Sequence, residues 1–187
     1  MKIIRHISLI IMFSIIVSGC AVTGATPGQQ RANILKMKND TLNKLYKLKP
    51  QVKNMIRTAP GYAVFNNGNV NVIFASFGGG RGVVKNNLTG RHTYMKMAEV
   101  GIGLGLGVKD FSAVFVFHDK KTMYKFINEG WQFGGHADAA AKSKNDGGAI
   151  AGEMLVDNIS IFQLTNAGLA LQATIKGNKY WKDDSLN

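Results

Sequence analysis

The sequence predicts an α+β domain in which N-terminal helices pack on a strongly curved or barrel-like, mainly antiparallel β-sheet. Three observations predict it. Residues 31–58 place apolar side chains at helical spacing. After Pro60-Gly61 the chain breaks into short apolar runs separated by Asn- and Gly-rich clusters, the pattern of strands and turns. Glycine then alternates through Gly101, Gly103, Gly105 and Gly107, which strips one face of a strand and lets a sheet bend sharply or another backbone approach. Helices followed by many strands are the mark of the α+β class.

In order along the chain, residues 1–19 read as a secretory leader. A basic start (Lys2, Arg5) precedes an apolar stretch from Leu9 to Val17, too short and wrongly flanked to span a bilayer. Val17-Ser18-Gly19-Cys20 resembles the bacterial lipoprotein signal, which implies acylation of Cys20, the sole cysteine. Ala21 follows rather than aspartate, so the expected location is the outer membrane, lipid-anchored and facing the periplasm. With its cysteine committed to lipid the domain has no intramolecular disulfide, and packing alone must stabilise it. Residues 20–30 form the lipidated N-terminus and a flexible tether, and residues 31–187 a single domain.

Leu35, Leu42, Leu45 and Tyr46 give the stripe of a first helix over 31–49. Pro50 starts a second at 51–58, with Val52, Met55 and Ile56 inward. Strands are expected at 62–65, ended by the turn cluster Asn66-Asn67-Gly68-Asn69, and then at 70–77, 83–84, 92–97, 101–107 and 112–117. Asp119 caps a helix over 120–129 that buries Met123, Phe126 and Ile127 and stops at Gly130. A final pair of strands is expected at 150–162 and 168–175.

The glycines do not spell a nucleotide site. There is no G-x-x-x-x-G-K-[ST], and Leu106 stands where a dinucleotide fingerprint needs its third glycine. Gly78-Gly79-Gly80-Arg81-Gly82 reads as a bulge or bend between strands, compatible with a nest of backbone N–H groups beside Arg81 that would suit a phosphate or carboxylate. His92, His118 and His136 lack metal-ligand spacing, no nucleophile elbow occurs, and the carboxylates are scattered. The expectation is a non-enzyme without metal or cofactor.

The formal net charge is +12. On an exported protein that excess points to anionic lipid rather than nucleic acid. Arg31, Lys36, Lys38, Lys44, Lys47, Lys49, Lys53 and Arg57 face a single acid, Asp40, within the helical segment. This is either a solvated face or a surface for adsorption to an anionic leaflet.

From about Asn33 onward the order of motifs resembles the SYLF family, lipid-binding domains also called actin-binding in yeast members. Ala59-Pro60-Gly61-Tyr62-Ala63-Val64-Phe65, Gly78-Gly79-Gly80-Arg81-Gly82-Val83-Val84, Lys109-Asp110-Phe111-Ser112-Ala113-Val114-Phe115-Val116-Phe117 and Gly177-Asn178-Lys179-Tyr180-Trp181-Lys182-Asp183-Asp184 carry the likeness, the last resembling the bacterial lipoprotein branch. The resemblance implies phospholipid binding through the basic N-terminal helix, a role that falls on Lys36, Lys38, Lys44, Lys47, Lys49, Lys53 and Arg57, with Arg81 as an added anion contact. The ligand expected in an envelope is an anionic phospholipid or another anionic amphiphile. The alternative is a scaffold module docking another envelope protein, through aromatic patches such as Tyr180-Trp181.

Overall fold

The computed structural model describes residues 26–72, 75–102, 107–133, 153–165, 168–169 and 176–187. The leader, Cys20, residues 103–106 of the alternating glycines and His136-Ala137-Asp138 lie outside these. Among the described residues no helix is long and apolar enough to cross a membrane.

Helix α1 (Pro27–Leu48) starts earlier than expected, so the tether of residues 20–30 is corrected: its last four residues are the first turn of a helix. Thr26 and Gln29 form a capping box, with the Thr26 hydroxyl accepting from Gln29 N–H (3.3 Å) and the Gln29 side-chain oxygen from Thr26 N–H (3.2 Å). Pro27 at the first position suits a helix start, since its missing N–H would have no partner there anyway. After a break at Lys49-Pro50-Gln51 comes α2 (Val52–Thr58).

Four long strands follow, β1 (Gly61–Val72), β2 (Ala75–Asn86), β3 (His92–Ile102) and β4 (Gly107–Phe117). Then come α3 (Lys120–Glu129), β5 (Trp131–Phe133), β6 (Glu153–Val156), β7 (Ile159–Thr165), β8 (Gly168–Leu169) and β9 (Lys176–Lys182). The sheet order is β5-β9-β3-β2-β1-β4-β7-β6, with β8 also on β7 and every pairing antiparallel.

Three expectations about turns are overturned. Asn66 to Asn69 do not turn the chain; β1 runs through them, because each pairs with β2 on one side and β4 on the other (Asn67 with Gly80 and with Phe111). Gly78 to Gly82 are not a bulge but the middle of β2, in unbroken register with β1 and β3. Strand N–H groups there serve the ladders, so the anion nest beside Arg81 does not form. Those glycines are needed for close approach: a Cβ at Gly80 would collide with the Asn66 carbonyl, and one at Gly82 with the Phe65 ring. Thirdly, the strand expected at 150–162 is broken by Asp157 (φ 49°) and Asn158 (φ 64°), which make the tight turn between β6 and β7.

The sheet is curled into a half-barrel, and the core shows why. Tyr180 on β9 and Phe65 on β1 are three strand spacings apart, roughly 14 Å in a flat sheet, yet their rings lie 4.8 Å apart. Phe115 on β4, one strand further, is 5.3 Å from Tyr180. Phe126 of α3 fills the concave side, 5.5 Å from Tyr180 and 5.2 Å from Phe117. Helices α1 and α2 cover the convex side, where Leu42, Leu45, Val52 and Ile56 meet Tyr62, Val64, Val114 and Val116. Helices thus occupy both faces. Continuous apolar runs such as Tyr62–Phe65 and Ala113–Phe117 are what strands covered on both faces require.

Arg81 and Lys96 are opposite one another in the β2–β3 ladder, a like-charge pairing that would destabilise it. The fully buried Asp183 lies between them, with Lys96 Nζ 3.1 Å and Arg81 Nε 3.4 Å from its carboxylate. Burial alone would push the Asp183 carboxyl up. Hydrogen bonds from Ser185 and Lys96, and the charges of Lys96 and Arg81, outweigh it and hold the group below the usual carboxylate range. Asp183→Asn is therefore expected to cost about 3 kcal/mol, since removing one member of a buried pair leaves its partners uncompensated; urea unfolding midpoints of the two proteins measure it.

Candidate functional site

The basic N-terminal helices, with Arg81 of β2 added, were the site expected from sequence, and the fold divides the cations named for it in two. Lys36, Lys47, Lys53 and Arg57 project into solvent. Lys36 forms an i,i+4 pair with Asp40 at 2.6 Å, and Arg57 donates to Asn54 Oδ1 at 2.8 Å. An exposed pair of this kind contributes only about 0.3–0.5 kcal/mol, so it does little to hold Lys36 back from another anion. Leu48, 46% exposed, follows Lys47 at the end of α1.

The remaining four are engaged in the fold. Lys49 is buried, 5% exposed, with its ammonium 5.0 Å from the centre of the Phe162 ring. A desolvated cation over an aromatic face gains about 2 kcal/mol, which helps offset the loss of water. Lys44 donates to the Thr165 carbonyl at 2.6 Å, in a shallow pocket shared with Thr41, Asn66, Phe111 and Ser112. Arg81 donates to Gln30 Oε1 at 2.5 Å in addition to its pairing with Asp183. Lys49 and Arg81 thus hold structural positions, which corrects their assignment to a lipid-contacting surface.

Lys38 is half-buried on the sheet side of α1. Burial, and then the charge of Lys85, lowers its pKa. Lys85 on β2 donates to the Gly90 carbonyl at 2.5 Å and pairs with His92 in the β2–β3 ladder. The pKa of His92 is lowered by burial first, then by Lys85 and Lys38. Its Nε2 is buried and has no hydrogen-bond partner. Sequence reasoning did not group these three. One signal was available: between Asp40 and Glu99 the chain has no acidic residue, so cations that the fold brings together there have no local carboxylate to neutralise them.

The other chemical candidates resolve into structure. Asp119 caps α3, accepting from Thr122 N–H at 2.7 Å, from the Thr122 hydroxyl at 2.8 Å and from Asn158. These bonds, the Thr122 N–H first, then Asn158 and the Thr122 hydroxyl, bring its carboxyl down to about 2. His118 Nε2 lies 2.8 Å from Ser160 Oγ, a pair that sequence spacing hid. Asp119 is engaged by Thr122 and Asn158 rather than by His118, so it does not extend the His118–Ser160 pair into an acid–histidine–serine relay. Among the described residues no three His, Cys, Asp or Glu side chains gather to hold a metal ion. Tyr180, offered above as part of a docking patch, is a core residue whose pKa burial and then Glu99 raise; its neighbour Trp181 is partly exposed.

No family model matches the chain. Beta cell expansion factor A of Aeromonas veronii is similar to it, 33% identical over 168 residues. That alignment covers 86% of this chain but 60% of the relative, so the chain spans about three fifths of the curated relative's length.

In the unfolded chain His92 takes up its proton near the ordinary histidine value of about 6.5, whereas in the fold it does so only at lower pH. Below that value the unfolded state holds the extra proton, so acidification removes stability that is fully present above it. His92→Asn is expected to lose less stability than the parent between pH 7.5 and pH 5, read from urea midpoints at the two pH values.

Proposed function

We propose that the protein is a lipid-anchored envelope protein with a SYLF-like domain that binds anionic phospholipid. Acylated Cys20 would hold it on the periplasmic face of the outer membrane. The contact surface is the end of α1 together with α2, where Lys47, Lys53 and Arg57 are exposed beside Leu48. That acid-free corner is the observation that carries the reading. Of the cations expected from sequence, Lys47, Lys53 and Arg57 contact headgroups, Lys36 contributes from the rim, and Leu48 enters the interface.

Magnitudes explain why an anchor is needed as well. Each lysine or arginine near an anionic surface is worth about 1 kcal/mol. Three supply roughly 3 kcal/mol, less than the ~4 kcal/mol of a millimolar complex. Such a surface adsorbs weakly by itself and firmly once acyl chains keep it at the bilayer.

Two observations favour other readings. Phe77 and Val100, each 59% exposed and opposite one another in the β2–β3 ladder, would suit docking of another envelope protein. The name of the Aeromonas veronii relative supports a role in expanding beta cells, which for this chain would be an activity outside the producing cell.

The test uses the full chain carrying Cys20→Ser, which cannot be acylated. It is expected to sediment with phosphatidylglycerol vesicles at low salt, less as salt rises, and not with neutral phosphatidylcholine vesicles. Lys47→Glu, Lys53→Glu and Arg57→Glu together should reduce binding at least tenfold with the circular dichroism spectrum unchanged. Binding that survives those reversals would remove the helical corner from the reading, and a stable co-purifying protein with indifference to lipid charge would favour docking instead.

A further inference from the structure

The geometry points to a second site, separate from the exposed corner: Lys38, Lys85 and His92 form a binding site for a phosphate-bearing anion between α1 and the sheet. The placement follows from packing. Ile34 of α1 is buried against Val83 of β2 and Tyr94 of β3. One helical turn beyond Ile34 is Lys38, and two residues along each strand on the same face are Lys85 and His92. Lys38 therefore sits over the rung of the sheet that Lys85 and His92 share, and that rung continues into Tyr62, the β1 partner of Lys85.

Three basic groups from three elements converge there, and the charges acting on His92 are both positive, Lys85 from β2 and Lys38 from α1. The arrangement repels itself. Exposed lysines relieve such repulsion by swinging into water, but Lys38 and Lys85 are half-buried and Lys85 is held by the Gly90 carbonyl. His92 Nε2 is buried with no partner, a ring nitrogen that becomes a donor once an anion draws a proton onto it. A doubly charged phosphomonoester supplies what the site lacks: acceptor oxygens for two ammonium groups and an imidazolium, in charge-assisted bonds.

Because the free protein disfavours protonated His92 and a bound dianion favours it, binding takes up a proton. Affinity for the dianion, counted apart from the share of ligand that protonates to the monoanion, should therefore rise as pH falls from 7.5 toward 6.5. The ligand has two possible sources, the headgroup of a lipid such as phosphatidate or a soluble phosphate ester, and both present the same group.

The His92 ring resonances of the Cys20→Ser chain, followed by NMR, test the site without any membrane. Titration with inorganic phosphate is expected to move them saturably and to raise the pKa of His92, whereas sodium chloride at matched ionic strength does not. Lys38→Gln and Lys85→Gln should each weaken the response about tenfold or more, and Lys38→Arg should retain it, which separates a lost charge from a disturbed fold. The same response to chloride as to phosphate overturns the site. A second arm compares vesicles of phosphatidate with phosphatidylglycerol vesicles of equal surface charge. Preference for phosphatidate that Lys38→Gln abolishes assigns the headgroup; a phosphate response without that preference assigns a soluble ester. If phosphate is bound while no vesicle is, the corner of α1 and α2 has failed and this site stands; if vesicles are bound while His92 ignores phosphate, the reverse holds.

Discussion

The contact of Tyr180 with Phe65 and Phe115 is the constraint on which the rest of the molecule depends. It joins strands that a flat sheet would keep far apart, and so sets the curl. Once the sheet is curled, its concave side is narrow enough for Met123, Phe126 and Ile127 of α3 to fill, and its convex side is an apolar surface on which α1 and α2 can lie. Aromatic pairs are worth about 0.5–1.5 kcal/mol each beyond the area they bury. The cluster of Phe65, Phe115, Phe126, Trp131 and Tyr180 therefore contributes more than any single ion pair on the surface.

The convex face is where electrostatics and packing meet. One set of cations is spent on the fold: Lys49 over Phe162, Arg81 and Lys96 around Asp183. A second set stays in solvent, and a third is pressed between helix and sheet. This division is what allows a basic domain to be stable and still present positive charge outward. The charges spent on the fold are satisfied by a ring and a carboxylate, while the outer ones have Asp40 as their acid on α1.

The parts of this architecture legible in the sequence are those decided locally. Helix α3 was readable to the residue, since Asp119, the Met123–Phe126–Ile127 stripe and Gly130 are sufficient signals in themselves. The break at Pro50 was readable for the same reason. Asn66 to Asn69 misled because turn propensity was overridden by pairing with strands on both sides, a term no local window contains. The placement of β9 beside β3 was invisible, being a contact between partners 75 to 87 residues apart, such as Gly101 with Lys176 and Met95 with Lys182. For the site, the identity of the basic residues was legible and their direction was not. Lys49 lies just past the end of α1, where its side chain can fold back over β7, and Lys38 faces the sheet; both look like their exposed neighbours until the helix is docked. Lys85 and His92 escaped because they belong to a strand ladder, although the acid-free stretch from Thr41 to Ala98 marked the region.

The core also imposes an order on how the molecule comes into being. Tyr180 follows Phe65 by 115 residues, so the ring that draws the sheet into its curl is made long after the strand it must meet. Until it arrives, the hairpins built first have no closed interior to settle into. Loops of that span close slowly compared with the pairing of neighbouring strands. The emerging polypeptide therefore lacks its closed interior through most of its synthesis, and the curl is the last part of the sheet to lock.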